Sequence, residues 1–445
     1  MEVLQYPLAL IVTLGILVTI HELGHYLVAR LSGVTITRFA VGFGRPLWAR
    51  MDARGTEWVI AAIPLGGYVR MLDERELPRG DSVPAGSLAF NQLTPAWRIA
   101  IAAAGPAANF VLALVVYWIL SIMGSVNAAP LLGPLQPEDA IAQAGGQVGE
   151  EIRAVDGVQT RSWQQVSVAL AARLGESGAI ELELRRPGST RSRTIDVPIQ
   201  DWHQGESDPP LLESLGINPL LPPMIGQVVG DSPAAAAGLR VGDLPLTVEA
   251  EAVPSWRSFV AAIQARPGKR LSLTVDRDGR QVALTVVPES RTAEGATEPS
   301  GYLGVGPPMN ELTFGPLAAV GNAIDETIAK TGLTLGLLKK MVVGQVSVQN
   351  LSGPITIAEV AGNSARLGLN YFLGVLALLS ISLGIMNLLP IPILDGGHII
   401  WAAAEWVRGR PVPDQVQVLG AQFGLLAVGS LMIIALYNDV ARLLQ

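Results

Sequence analysis

The 445-residue chain contains no cysteine. That excludes disulfides, a thiol nucleophile, thiolate zinc ligands and iron–sulfur clusters. It leaves the compartment open. Charge is scarce as well. Asp, Glu, Lys and Arg make up 16% of the chain, against about 25% in an ordinary soluble domain. So few charges cannot coat a soluble surface of this size, and part of the chain must face lipid. A basic surplus is missing too. The net charge of −7 argues against the electropositive footprint of a nucleic-acid binder. There are only four histidines, so each position they hold is informative. Abundant instead are apolar residues, at 49%, with 48 Gly and 31 Pro. Neither glycine nor proline is periodic, which excludes a fibrous chain.

Four runs are long enough to span a bilayer, which takes about 20 apolar residues as helix. They lie at Tyr6–Ala29, Ile99–Met123, Tyr371–Leu389 and Leu419–Tyr437. The first reads as a true span rather than a cleaved signal, since it runs on through His21–His25 with no small-residue cleavage site. Arginines crowd residues 30–98, and Arg408 and Arg410 follow span three, whereas Met1–Gln5 carries no basic residue. Basic loops stay in the cytoplasm. Both termini and the polar region from about 127 to 370 are therefore expected outside.

That outer region repeats itself. At one constant offset Ala144-Gly145 matches Ala237-Gly238, Glu150 matches Asp243, and Ser162-Trp163 matches Ser255-Trp256. Helix-like stretches at Val166–Leu174 and Phe259–Ala265 follow, then strands with alternating apolar residues. The pattern predicts two α+β units of about 80 residues from a duplication. From Ala237–Asp243 the second unit resembles a PDZ domain, and the first follows by the repeat. Such domains add an extended peptide to a sheet edge. The first unit carries Asp156-Gly157, a two-residue turn signal. The second has Glu249-Ala250 there and lacks that signal. Between 313 and 369, Leu317, Val320, Ile324 and Ile328 recur at helical spacing, as in a helix that packs on protein or lies on a membrane surface.

The most informative residues are His21-Glu22-Leu23-Gly24-His25. On a helix the two histidines lie about 40° apart, one turn from each other. Two imidazoles can then reach one ion, with Glu22 beside a water on it. One buried histidine is commonly structural, but two with a carboxylate inside a membrane span point to function. Catalytic zinc needs a third protein ligand and an open position. His203 lies in the outer region. Asp395 sits at the inner end of span three, at the depth of His21, after Pro390 and Pro392 break the helix. Alone it would read as a capping residue. Beside the histidines it reads as the third ligand, with His398 a neighbour.

Together these residues closely resemble the site-2 protease family of intramembrane zinc metalloproteases, most of all its bacterial regulator-of-sigma-E protease branch. The resemblance covers nearly the whole chain. It includes His21–His25, Val41-Gly42-Phe43-Gly44, Ile63–Val69, Ala104-Gly105-Pro106 with Asn109, Asn350–Ile355 and Asn387–Gly397. It implies a four-helix membrane fold with a re-entrant β hairpin and two PDZ domains outside. His21, His25 and Asp395 would hold Zn²⁺, and Glu22 would be the catalytic acid/base. Asn387 would steady the substrate backbone or the developing oxyanion. Gly42, Phe43, Gly44, Asn387 and Pro390 would bind substrate. The expected organisation is span one at 1–30, a cytoplasm-facing loop and hairpin at 31–97, span two at 98–124, PDZ domains at 125–205 and 206–300, an amphipathic linker at 301–369, span three at 370–398, a loop at 399–418 and span four at 419–445. The implied partners are the bilayer, single-span substrates of the anti-sigma-factor type already trimmed outside, and signal-peptide remnants. The implied location is a bacterial inner membrane. The outer pair is expected to act as a size filter. A metal transporter would not need Glu22 as a base, and an inactive PDZ scaffold would not need the intact metal motif.

Overall fold

The computed structural model describes residues 2–443, apart from 78–82, 85, 187–188, 190, 207–208, 219–222, 278 and 292–298. The chain forms two compact units. One comprises Met1–Gly124, Thr313–Leu338 and Val348–Gln445, and the other Ser125–Leu312 with Lys339–Ser347.

In the first unit, four helices are long and apolar enough to cross a membrane: Tyr6–Ser32, Pro95–Met123, Leu369–Leu388 and Asp414–Arg442. Large apolar side chains such as Val111, Leu425 and Ile433 stand exposed on them. Lipid covers such faces without penalty, whereas water would not. The interior is built from Leu17, Ala113, Val116, Leu376, Ala377 and Ile381. Small residues let the helices close on one another. A Cβ on Gly24 would lie 2.3 Å from the Ala104 carbonyl oxygen, so the first two helices approach backbone to backbone there.

The third long helix stops at Leu388. Pro390 and Pro392 bring no N–H and cannot continue a ladder. Short turns, Ile391 N–H to the Leu389 carbonyl (2.7 Å) and Leu394 N–H to the Ile391 carbonyl (2.9 Å), carry the chain onward. A new helix, Asp395–Arg408, then begins. The segment expected as one span over 370–398 is thus a helix, a turn-built break and the first turn of a second helix. The following stretch, expected as a loop, is helical as far as Arg408.

Two long strands, Ile36–Met51 and Glu57–Met71, follow the first helix. They do more than pair as a simple hairpin. Trp48, Ala49 and Arg50 face Ile60, Val59 and Trp58, while Phe39 and Ala40 each pair on both sides, with Val69 and Tyr68 and again with Trp58 and Val59. Two strands thereby make a sheet four segments wide. The bends fall at glycines. Gly42 and Gly44 have φ of 92° and 88° and Gly66 has 135°, conformations that cost other residues dearly.

The second unit contains two four-stranded sheets of matching order. In the first, Val158–Gln159, Glu151–Val155, Gly178–Arg185 and Ser192–Ile199 lie side by side; in the second, Glu251–Ala252, Leu244–Val248, Leu271–Arg277 and Arg280–Val286 do. Each packs one helix, Trp163–Ala171 or Trp256–Gln264, over its own core. Both helices begin at the tryptophan, three residues before the apolar periodicity alone suggests. Ser162 and Ser255 cap them by accepting from Gln165 N–H and Ser258 N–H. Such caps fix where a helix starts.

Two details show how the halves diverged. The tight turn persists without its glycine. Asp156 and Gly157 have φ of 48° and 77°, and Glu249 and Ala250 have 53° and 66°. The second half therefore holds alanine in a left-handed conformation, which costs about 1–2 kcal/mol. The other detail is an ion pair. Asp243 is clasped by Arg277 at 2.7 Å, and Arg277 also reaches the Gly238 carbonyl at 2.9 Å. In the first half the acid is Glu150, one methylene longer. Its partner is Arg193 on the neighbouring strand, at 2.6 Å, which reaches the Gly145 carbonyl.

Candidate metal centre

His21 and His25 lie in the C-terminal half of the first helix, Glu2–Ser32, and are 8% exposed. Asp395 opens the helix after the proline break. The structure brings these three together: one ligand atom of each lies within 4.8 Å of the others. His21 Nε2 is 3.2 Å from His25 Nε2 and 3.2 Å from Asp395 Oδ2, and His25 Nε2 is 3.5 Å from that oxygen. Tetrahedral zinc with metal–ligand distances near 2.0–2.1 Å holds its ligand atoms about 3.3–3.4 Å apart. The Asp395 oxygen facing the imidazoles has no hydrogen-bond partner. The donor set, its spacing and that orphaned oxygen fit one zinc ion.

The approach of Asp395 depends on glycine. A Cβ on Gly396 would lie 2.2 Å from the Leu389 carbonyl oxygen, and one on Gly397 would lie 2.4 Å from that of Ile391. Only bare backbone lets the new helix start so tightly against the break. Farther along, Glu405 pairs with Arg98 at 2.5 Å and ties this helix to the second one.

The second helix, which no metal motif marks, shapes the centre. His25 Nδ1 lies 2.7 Å from the Ile101 carbonyl. A carbonyl only accepts, so Nδ1 carries the proton and Nε2 keeps its lone pair. Pro106 has no N–H to give the Ala102 carbonyl and crowds that turn. Gly105 makes room for the ring, since a Cβ there would meet His25 Nε2 at 2.2 Å. Asn109 is wholly buried, with its amide nitrogen 3.1 Å from His21 Nδ1. The sequence pattern assigned no role to Ile101, Gly105 or Asn109. The available signal was an amide in an otherwise apolar span, where polar groups are costly.

Glu22 is 9% exposed and lies one residue round the helix from His21. A Cβ on Gly67 would lie 3.0 Å from Glu22 Cγ. The two-strand sheet thus passes directly over the carboxylate. Nearby, the Phe43 ring stacks on Tyr68 with centroids 6.2 Å apart and is 44% exposed. Asn387 occupies the last turn of the third long helix and Pro390 is exposed in the break. His398 stands in the first turn of the Asp395 helix, outside the three-ligand cluster.

Comparison with known proteins gives one consistent result. The model of Peptidase family M50 matches residues 9–431. The chain is 40% identical over 447 residues to regulator of sigma-E protease RseP of Salmonella typhimurium, covering 98% of each. It is also 40% identical to the RseP of Escherichia coli K12, covering 97% of this chain and 98% of that one. A protein of Vibrio cholerae named as a zinc metalloprotease is 40% identical, covering 99% of this chain and all of that one.

Proposed function

The chain belongs to peptidase family M50, the membrane-embedded zinc metalloproteases of site-2 type, and from that premise we propose that His21, His25 and Asp395 hold the zinc and Glu22 is the acid/base that cuts substrate spans. The observation that carries this reading is the convergence of three ligand atoms at zinc spacing beside a buried carboxylate. Zinc in such a donor set supplies Lewis acidity, polarising a peptide carbonyl and making water acidic near neutral pH. Glu22 takes the proton of the attacking water and passes it to the leaving amine. Asn387 donates to the substrate backbone or to the oxygen on which negative charge develops.

Peptide bonds inside a helix are shielded, so a substrate span must unwind before it is cut. We read the two-strand sheet as a membrane-re-entrant element that receives the unwound segment as an added strand, with Gly42, Phe43, Gly44 and Pro390 in contact with it. The two repeated units we read as PDZ domains, on their matching strand order and their matching serine-capped helices. They stand outside the inner membrane and select substrates already shortened by another protease. The substrates are single-span proteins of the anti-sigma-factor type, and remnant signal peptides.

The test uses purified full-length protein and a single-span substrate. A zinc chelator and Glu22→Gln should each abolish cleavage, while Glu22→Gln keeps its zinc. General acid–base catalysis contributes about 10²–10⁴-fold. Cleavage by Glu22→Gln within about tenfold of wild type would remove Glu22 from that role.

A further inference from the structure

We propose that Asn109 is a positioning residue for His21, its side-chain oxygen accepting from Nδ1–H so that Nε2 faces the zinc. This rests on the reading of His21 as a zinc ligand. His25 and His21 are held differently. The partner of His25 Nδ1 is the Ile101 carbonyl, 2.7 Å away, which can only accept. The partner of His21 Nδ1 is the Asn109 side chain, an amide with an acceptor at one end and donors at the other.

The Asn109 side-chain amide lies 3.1 Å from His21 Nδ1. Its oxygen is buried and has no other hydrogen-bond partner. Zinc ligation would use the Nε2 lone pair, which places the ring proton on Nδ1, where it needs an acceptor. The Asn109 amide, with its oxygen turned to Nδ1, supplies that acceptor. The Ser380 hydroxyl donates to the Asn109 backbone carbonyl at 2.8 Å and pins the backbone that carries the amide.

The test is zinc affinity, read by competition with a chromogenic chelator on stripped, full-length protein in detergent. Asn109→Leu keeps the bulk and removes the acceptor. It should weaken zinc about 10–100-fold, as loss of a ligand-orienting partner does. Asn109→Asp deletes the donor and offers an acceptor in either orientation. It should hold zinc within about threefold of wild type or more tightly. Wild-type affinity in Asn109→Leu would overturn the proposal. So would an Asn109→Asp loss as large as that of Asn109→Leu, since the donor or the bulk would then be what matters. If Asn109→Leu fails to fold, Asn109→Asp alone decides, by retaining or losing zinc. Wild-type zinc that His21→Ala leaves in place would sink the reading of the site and this inference with it. An unaffected Asn109→Leu would sink the inference alone.

Discussion

Replacing Gly105 by alanine adds one methyl group and should empty the metal centre. The added Cβ would lie 2.2 Å from His25 Nε2, 2.6 Å from Cε1 and 2.8 Å from Cδ2. Ordinary contact begins near 3.4 Å, so the ring must retreat by about 1.2 Å. Metal–ligand distances tolerate only about ±0.2 Å. The ring also cannot swing freely, because its other nitrogen is held by the Ile101 carbonyl at 2.7 Å. His25 is thereby pushed off the ion, and the loss should exceed the 10–100-fold typical of a ligand's supporting partner. Global unfolding is not the expected cause, since alanine in a helix is favoured over glycine by up to about 1 kcal/mol. Zinc per chain in detergent-purified protein, together with its thermal transition, is the assay. Gly15→Ala, where nothing lies within 4 Å of the added Cβ, is the control and should keep its zinc. Full zinc and wild-type cleavage in Gly105→Ala would refute the reasoning.

Other expectations follow from the same contacts. Asp395→Ala should lose zinc, and metal analysis showing one ion per chain would exclude it as a ligand. Ala250→Gly should relieve a left-handed alanine, slowing hydrogen exchange around Val248–Glu251 about fivefold for a gain near 1 kcal/mol; unchanged exchange would mean that the turn is unstrained. Asp439→Asn should free the start of helix Pro354–Leu367, where the carboxylate accepts from Gly353, Ile355 and Thr356 N–H at 2.9, 2.8 and 3.2 Å. Loss of such a cap costs about 0.5–2 kcal/mol and should speed proteolytic nicking near Gly353. Replacing residues 128–292 by a short linker should let the enzyme cut substrates that keep a folded ectodomain; continued refusal of them by a variant that still cleaves trimmed substrate would place selection in the membrane unit.

The centre was partly legible in the sequence. The spacing of His21, Glu22 and His25 states its chemistry because a helix converts four residues into one face. Asp395 needed an argument about depth along two spans. Nothing in the spacing pointed to Ile101, Gly105 or Asn109, because their roles arise only where two helices meet, and the register of that meeting is set by packing of residues such as Gly24 on Ala104. The repeat was visible as matched residues, yet helix starts were read late, since periodicity sees Val166 and Phe259 while the caps at Ser162 and Ser255 act earlier. The turn at Glu249-Ala250 carried no glycine signal. Its neighbours impose it: Val248 and Glu251 pair across it, and the ladder overrides the local preference.

His21 and Asp395 touch although most of the chain separates them. A polypeptide emerging from the ribosome exposes the histidine pair early and supplies the carboxylate much later. The last helix comes later still, and its Asp439 secures the start of Pro354–Leu367, a segment packed against the helix that bears the histidines. The three-residue cluster can therefore close only once the chain has been made through Asp395. A product that stops short of Asp395 carries the histidine pair without the carboxylate.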